Sequence, residues 1–462
     1  MQLKKNWKVG LKPLTALTVG LMVSCQMPAQ SVETPVAAHA VPSGHLPMKG
    51  GHLTLQQAIA EAMGSNPGLK AAGHQQRAAA DDANAASRSR WGSLNAVGAY
   101  SYLNDDQAIR PVSSEMLAGG VASAPWDRSQ AHYGVSYDIP LYLGGKLSNQ
   151  IQIAKLEARK AAELLTGTRW QVRFNVISLY STAQALKQAA AALDGQLAAL
   201  TQTKTNLDEM VDAGKRPNVD RLKVIEDLEA AKSNRAAVGA DQRRVTALLL
   251  SVLGRDPAGE LMLDPQTDPP VGFVRQASSG VVDSNSIIRA ASLTAEQAAR
   301  GVNVAKSEFR PKIVASANVL ENVGLRTDRN EESWGASVML VFPLFDGGSR
   351  SAKLSAARAR EAAAAESLRQ VKLQTDAVMQ DALAKFAAAR TDLEATRARV
   401  AAGKEAARIE QTRYDTGAGT IEDLLRARSR EEAAHSALAM ARANLIISAE
   451  RINTITEQKI IP

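Results

Sequence analysis

Cysteine occurs once in the 462 residues, at Cys25, which excludes a disulfide within one chain. Aromatic side chains make up only 4% of the composition against 45% hydrophobic residues, and alanine is abundant, a mixture that suits long helices better than a compact enzyme core. Beyond the N-terminal leader no apolar run reaches the ~18 residues a transmembrane helix needs. Basic clusters are missing as well. The net charge is +8, but Lys4, Lys5, Lys8 and Lys12 lie in the leader and leave +4 on the rest, which argues against a nucleic-acid partner.

Motifs for chemistry are also absent. The six histidines, at 39, 45, 52, 74, 132 and 435, form no HExxH or other ligand spacing, and neither a Walker glycine loop nor a G-x-S-x-G elbow occurs. Asp81 with Asp82, and Glu431 with Glu432, are consecutive carboxylates on helical stretches and read as solvated faces. The sequence therefore implies no enzyme, cofactor or metal site.

What is present begins with a leader over 1–24: a positive MQLKKNWK followed by the apolar LTALTVGLMVS, the pattern of a secretory signal. Cys25 follows directly. LMVSC resembles the bacterial lipobox, with Met22 where leucine is usual, so two expectations stand: lipidation at Cys25, or cleavage near Ala29. A spacer fills 25–51. Further on, prolines are missing between 140 and 217 and between 343 and 462, which permits two very long helices. In the first gap Leu179, Leu186, Leu193, Leu200 and Leu207 recur every seven residues, and in the second Met379, Phe386, Leu393, Val400 and Ala407 repeat the seam.

Four stretches alternate with period two instead: Leu94 to Tyr102, Tyr133 to Ile139, Ile313 to Leu320 and Trp334 to Phe342. Each has about the length of a tilted membrane strand, with Tyr133, Val135, Tyr137 and Ile139 on an apolar face and Ser136 on a polar one. Residues 104–130 and 322–332 read as exposed loops. PLYLGG, from Pro140, returns as PLFDGG, from Pro343, and the offset of 203 also carries Gly214 onto Gly417, Asp220 onto Asp423 and Leu222 onto Leu425. The chain is thus a duplication, with a first repeat over 52–256, a connector over 257–284 and a second repeat over 285–459. Pro140, Gly144, Gly145, Pro343, Gly347 and Gly348 mark two strand-to-helix corners, where proline ends a ladder and glycines allow the bend.

With its opening LTLQQAIAEAMGSNPGLKAA, its two corners and the segment RYDTGAGTIEDLLRARS, the sequence resembles the outer membrane efflux protein family, the TolC-like channels. The resemblance implies a mainly α fold with membrane β: a homotrimer whose 12-stranded barrel crosses the outer membrane of a Gram-negative bacterium and continues as a periplasmic tube of coiled coils. Four strands cannot close a barrel, so association is also demanded by backbone physics. The implied role is a passive duct in a tripartite efflux pump or type I secretion system. Its partners would be outer membrane lipid, a periplasmic adaptor (membrane fusion protein) meeting tips near Gly214 and Gly417, and an inner-membrane RND or ABC transporter. Drugs, metal ions and secreted polypeptides all pass through members of this family.

The resemblance further implies an acidic gate ring at Asp423 and latch positions at Asp220 and Tyr414. Gly419 stands where some relatives carry a latch arginine, Arg426 occupies a site that can be acidic, and Val211, Lys215, Arg216 and Pro217 depart from the usual first tip. Another reading makes Asp220 and Asp423 simple helix N-caps. A rival of a different class is a periplasmic coiled-coil adaptor or scaffold, which would show one helical hairpin between lipoyl-like halves.

Overall fold

A computed structural model describes residues 52–120, 124–265 and 285–459; the leader, Cys25 and most of the connector lie outside the described residues. In chain order the elements are α1 (Leu55–Ser65), α2 (Pro67–Arg88), β1 (Ser93–Ala108), the short α3 (Ser114–Ala118), β2 (Trp126–Tyr142), α4 (Lys146–Asp212) and α5 (Asn218–Leu253). The second series is α6 (Ser286–Ser307), β3 (Lys312–Gly324), β4 (Arg329–Val341), α7 (Ser349–Asp415) and α8 (Ile421–Thr456). The duplication is visible in the lengths: α4 and α7 both have 67 residues, α5 and α8 both 36, α2 and α6 both 22. At 1.5 Å per residue α4 and α7 each reach about 100 Å.

Local chemistry starts and stops these helices. Thr54 caps α1 in a reciprocal capping box with Gln57, and Asn66 caps α2 by accepting from the amide of Leu69, with Pro67 at the first helical position. The corner glycines turn the chain from sheet to helix in left-handed conformations, with φ of 65° and 91° at Gly144 and Gly145 and of 65° and 87° at Gly347 and Gly348. At Pro140 the ladder of β2 slips by a residue before Tyr142 pairs with Ile313, as expected where proline removes a donor.

The long helices pack through small and branched side chains. Ala185 meets Ala439 and Ala443, and Leu393 meets Ala441 and Leu445. Arg173 joins α4 to α8 by donating to both oxygens of Glu450, at 2.6 and 3.3 Å. Nearer the N-terminus a core of Val172, Val176, Tyr180, Val245, Leu249 and Leu253 takes in Leu53 and α1, and the Tyr180 hydroxyl donates to the Leu53 carbonyl at 2.7 Å. Of the two heptad rows, Leu200, Leu207, Met379, Leu393 and Ala407 are buried within this one chain.

The four strands form one antiparallel sheet in chain order, so β1 and β4 are its edges. Their pairing fixes the faces. Leu94, Tyr133, Val135, Tyr137, Val319, Trp334, Val338 and Leu340 share an apolar, exposed face. Residues such as Asn95, His132, Ser136, Asn318, Asn322 and Ser337 share the other. Strand lengths of 16, 17, 13 and 13 residues exceed the expected ten, because polar pairing prolongs the ladder: His132 meets Asn322 at 2.8 Å, and Asn322 donates to the Glu331 carbonyl and the Ser333 hydroxyl.

The loops are correspondingly shorter than expected, at 109–125 and 325–328. The first of them is not simply exposed. Ile109 is 1% exposed, and Arg110, beyond the end of β1, reaches Glu331 of β4 at 3.2 Å, so this strap crosses the polar face. It covers a cavity of about 810 Å³ lined by Val97, Ala99, Ile109, His132, Leu320 and Asn322 among others.

Arginine at Val135, on the apolar face, is expected to cost about 2–4 kcal/mol near the bilayer midplane and much less at Ser136 on the opposite face. The yields of folded protein recovered from membranes for Val135→Arg and Ser136→Arg check this assignment. Equal yields would contradict it.

Candidate functional site

Each long helix ends in a tight turn at the far end of the molecule from the sheet, and these two tips come together. Both close the same way. Gly214 and Gly417 take left-handed conformations, with φ of 69° and 77°. The amide of Gly214 donates to the carbonyl of Val211 and that of Lys215 to Met210, while Gly417 donates to Tyr414 and Ala418 to Arg413, the paired bonds that cap a helix C-terminus.

The helices that leave the tips start on Pro217 and Thr420, which are the residues in the capping position. Asp220 and Asp423 therefore sit three residues later, inside the first turn, and the N-cap reading is corrected for both. A carboxylate there still favours the helix through the unsatisfied amides and the dipole. Thr420 accepts from the amide of Asp423 at 3.1 Å and donates its hydroxyl to Asp423 Oδ2 at 2.7 Å, which fixes the carboxylate at the turn.

An apolar cluster beneath the turns spans both hairpins: Leu200, Leu207, Val224 and Leu228 from the first pack with Ile421, Leu424 and Leu425 from the second, and Tyr414 lies half-buried against them. Above the cluster, Arg216 of the first tip covers the Tyr414 ring of the second, its guanidinium carbon 4.9 Å from the ring centre. Burial pushes the Tyr414 phenol up, the charge of Arg216 pulls it down, and Asp220 and Asp415 add to the upward side. Asp220 thus lies within electrostatic reach of Tyr414. The turn also explains Gly419: a β-carbon there would stand 3.0 Å from the Arg413 side chain and 3.2 Å from the Tyr414 amide. A side chain at 419 would require these neighbours to shift by a few tenths of an ångström, and the guanidinium over Tyr414 comes from the other tip.

Charges tie the hairpins together a turn farther on. Lys223 donates to Glu422 at 3.0 Å, and Arg426 donates to the other oxygen of Glu422 at 2.7 Å while standing 4.0 Å from Asp423. The Lys223 ammonium, and then Arg426, hold the Glu422 carboxyl below its usual range. Lys223, Glu226, Asp227, Glu422, Arg426 and Arg430 line a groove of about 550 Å³ between α5 and α8. Burial and neighbouring Glu226 raise Asp227.

The structure thus brings Asp220, Tyr414, Asp423, Gly214 and Gly417 to one end and leaves Pro140, Gly144, Gly145, Pro343, Gly347 and Gly348 at the sheet. Sequence reading missed Arg216, Lys223 and Glu422 as a group because the contacts cross between halves; by the offset of 203 Arg216 and Glu422 stand against Gly419 and Val219, while Lys223 keeps its charge against Arg426. Glu431 corrects an expectation as well: it is buried beside Gly403 and accepts from Arg428 at 3.3 Å. Among the described residues no group of three or more His, Cys, Asp or Glu could hold a metal ion.

Arg216→Ala should loosen the tips by about 0.5–2 kcal/mol, the range for a cation over an aromatic face, and Arg216→Lys by less. Hydrogen exchange across residues 205–225 and 410–426 should quicken in the alanine variant while the sheet stays unchanged. Unaltered exchange at both tips would show that the stack does not hold them.

The family model for outer membrane efflux proteins matches residues 58–255 and again 279–456. Protein CyaE of Bordetella pertussis is 29% identical over 299 residues, 63% of this chain and 62% of its own, so the match spans less than two thirds of that relative. Outer membrane efflux protein BepC of Brucella suis is 23% identical over 359 residues, 74% of this chain and 75% of its own. The solved outer membrane protein VceC of Vibrio cholerae shares the fold, with a TM-score of 0.74 at 18% identity over 88% of this chain and 97% of that one. With the family pattern matched twice, over a duplicated strand-and-helix architecture, this chain belongs to the outer membrane efflux protein family.

Proposed function

We propose that the protein is the outer membrane channel of a tripartite efflux pump or type I secretion system, a passive duct from the periplasm to the outside. The observation that carries this reading is the direct joining of two unlike devices in one chain. A four-stranded sheet, apolar on one face and polar on the other, runs without a linker domain into two helices of 67 residues. Three copies would close twelve strands into a barrel with the polar face lining the lumen, and the helices would prolong that lumen through the periplasm. Membership of the efflux family and the likeness to BepC support the same role. An adaptor or scaffold needs a single hairpin and no membrane sheet; the two hairpins and the sheet argue against it.

In this reading the loop at 325–328 and the strap at 109–125 lie at the outer mouth, and the paired tips lie at the periplasmic mouth, where a periplasmic adaptor coupled to an inner-membrane RND or ABC transporter would dock near Gly214 and Gly417. Threefold symmetry would carry three copies of Asp423 toward one axis. Carboxylates gathered there attract cations and offer oxygen ligands to hard multivalent ions. Arg426, 4.0 Å from Asp423, offsets part of that field. The stack of Arg216 on Tyr414 would serve as the latch that holds the two hairpins of a protomer in the closed arrangement.

Single-channel recordings test the ring. Asp423→Ala should weaken cation selectivity and abolish block by multivalent cations added on the periplasmic side, whereas Arg426→Ala should strengthen both, with the trimer intact in each. Parent-like selectivity and block in Asp423→Ala would remove Asp423 from the gate.

A further inference from the structure

Beyond Tyr102 the first hairpin bends over the polar face of the sheet. Tyr102 pairs with Ser129 and the next pair is Gln107 with Asp127, so residues 103–106 of β1 stand against the single Arg128 of β2. Extra residues on one strand interrupt the ladder and bend it. Pairing then resumes through Ala108 with Trp126, and the Ile109 amide donates to the Pro125 carbonyl at 3.0 Å. Gln130, buried on the polar face, holds both arms of the bent tip by donating to the carbonyls of Gln107 at 2.9 Å and Asp127 at 2.7 Å. The residues that follow, Ile109 to Val112, form one side of the cavity whose other side is Val97, Ala99, His132 and Leu320.

The root of this tip and its far part are held differently. At the root Asp106, inside the bulge, accepts from Arg128 at 3.2 Å and from Arg326 at 3.4 Å. Asp127, 1% exposed, accepts from the amides of Arg326 and Thr327 at 2.8 and 2.9 Å and from the Thr327 hydroxyl at 3.0 Å. These bonds tie the root to the turn at 325–328. Farther out the tip is held by the buried side chain of Ile109 and by the ion pair of Arg110 with Glu331 at 3.2 Å, whose side chains are 28% and 32% exposed. The cavity of about 810 Å³ separates it from the strands, so it does not rest on the sheet as a close-packed core element would. An ion pair that water can reach contributes little to stability and is readily exchanged for hydration. We propose that the tip is a lid over the outer mouth of the duct, hinged at residues 103–106 and latched by Arg110 on Glu331, a second gate at the opposite end from the helical tips.

This rests on the barrel reading above, in which the polar face lines the lumen, and adds that the lumen is covered from within its own wall. The second repeat has no such device: β3 and β4 pair without a break from Lys312 with Val341 to Gly324 with Arg329 and close in a four-residue turn. Each copy therefore carries one lid. Its hinge lies on β1, at one edge of the sheet, and its latch residue Glu331 lies on β4, at the other edge, so the lid reaches across the full width of the protomer's sheet. Lifting it uncovers Val97, Ala99 and Leu320, and lowering it narrows the mouth.

Thiol accessibility tests the lid in cells expressing the full-length chain, because labelling from outside does not depend on whether the periplasmic mouth is open. Ala99→Cys places a thiol beneath the tip, and Ala96→Cys, opposite Val135, places one on the lipid-facing side. The chain with neither substitution sets the background from Cys25. The ratio of the labelling rates with a bulky polyethylene-glycol maleimide and with a small charged methanethiosulfonate separates access from thiol reactivity. For Ala99→Cys this ratio should rise about two- to fivefold with Arg110→Ala, the range for loss of a partly exposed ion pair. Arg110→Glu should raise it as well, and combining Arg110→Glu with Glu331→Arg should return it to the parent value, which also controls for folding. An unchanged ratio across these variants, or a charge swap that does not restore it, with Ala96→Cys unlabelled, would overturn the lid and leave the duct standing. Labelling of Ala96→Cys as fast as Ala99→Cys would overturn the barrel reading and the lid with it.

Discussion

Everything in this molecule depends on the backbone groups at the two edges of its sheet. In water an unpaired strand edge is tolerable; in hydrocarbon each unsatisfied amide or carbonyl costs several kcal/mol, so a four-stranded sheet with an apolar outer face cannot stay a monomer in a membrane. The edges of β1 and β4 therefore require further copies of the chain. Contact with lipid, rather than with the next copy, accounts for the exposure of apolar side chains such as Trp334, Val338 and Leu340 on the outer face. The long helices carry each sheet's share of wall onward, but their backbone groups are satisfied internally, so any neighbours they need are set by side chains rather than by open edges.

Duplication is the economical route to such a wall. One strand-pair and helix-hairpin unit, used twice, gives a protomer two near-identical staves, and the match extends from helix lengths to the Asn66 and Asn285 side-chain bonds. The halves then diverge at the loop end of the sheet and at the helical tips. The first repeat carries the longer loop whose Ile109 and Arg110 cross the polar face, while the second has a four-residue turn. At the opposite end Arg216 and Tyr414 are unlike residues at the two tips, and their contact joins one hairpin to the other. Departures from the repeat fall at the two ends of the molecule, and adherence to it falls along the long helices.

Much of this was legible in the sequence because the signals were local or periodic. Proline-free gaps and heptad rows located α4 and α7, period-two alternation located the strands, and the glycine pairs located the corners. The strands ran longer than read, since Asn322 and its partners extend the ladder with polar residues that break the apolar pattern. The inward strap was invisible because the loop composition around Ile109 says only that it is not regular structure, and its course is set by a contact with Glu331 some 220 positions away. The aspartates at the tips misled in a similar way: aspartate is a favoured cap, but Pro217 and Thr420 take that position and displace Asp220 and Asp423 into the first turn. Arg216 looked like a departure from the family pattern until the fold placed it on Tyr414.

The central claim is that this chain builds a hollow wall that closes only as three copies. Electron cryomicroscopy of the wild-type protein extracted in detergent tests it most directly. The account predicts a threefold particle with twelve strands closed into a barrel and one continuous lumen running on through the helices. A particle containing a single chain, or an assembly whose sheets face water and enclose no lumen, would contradict it.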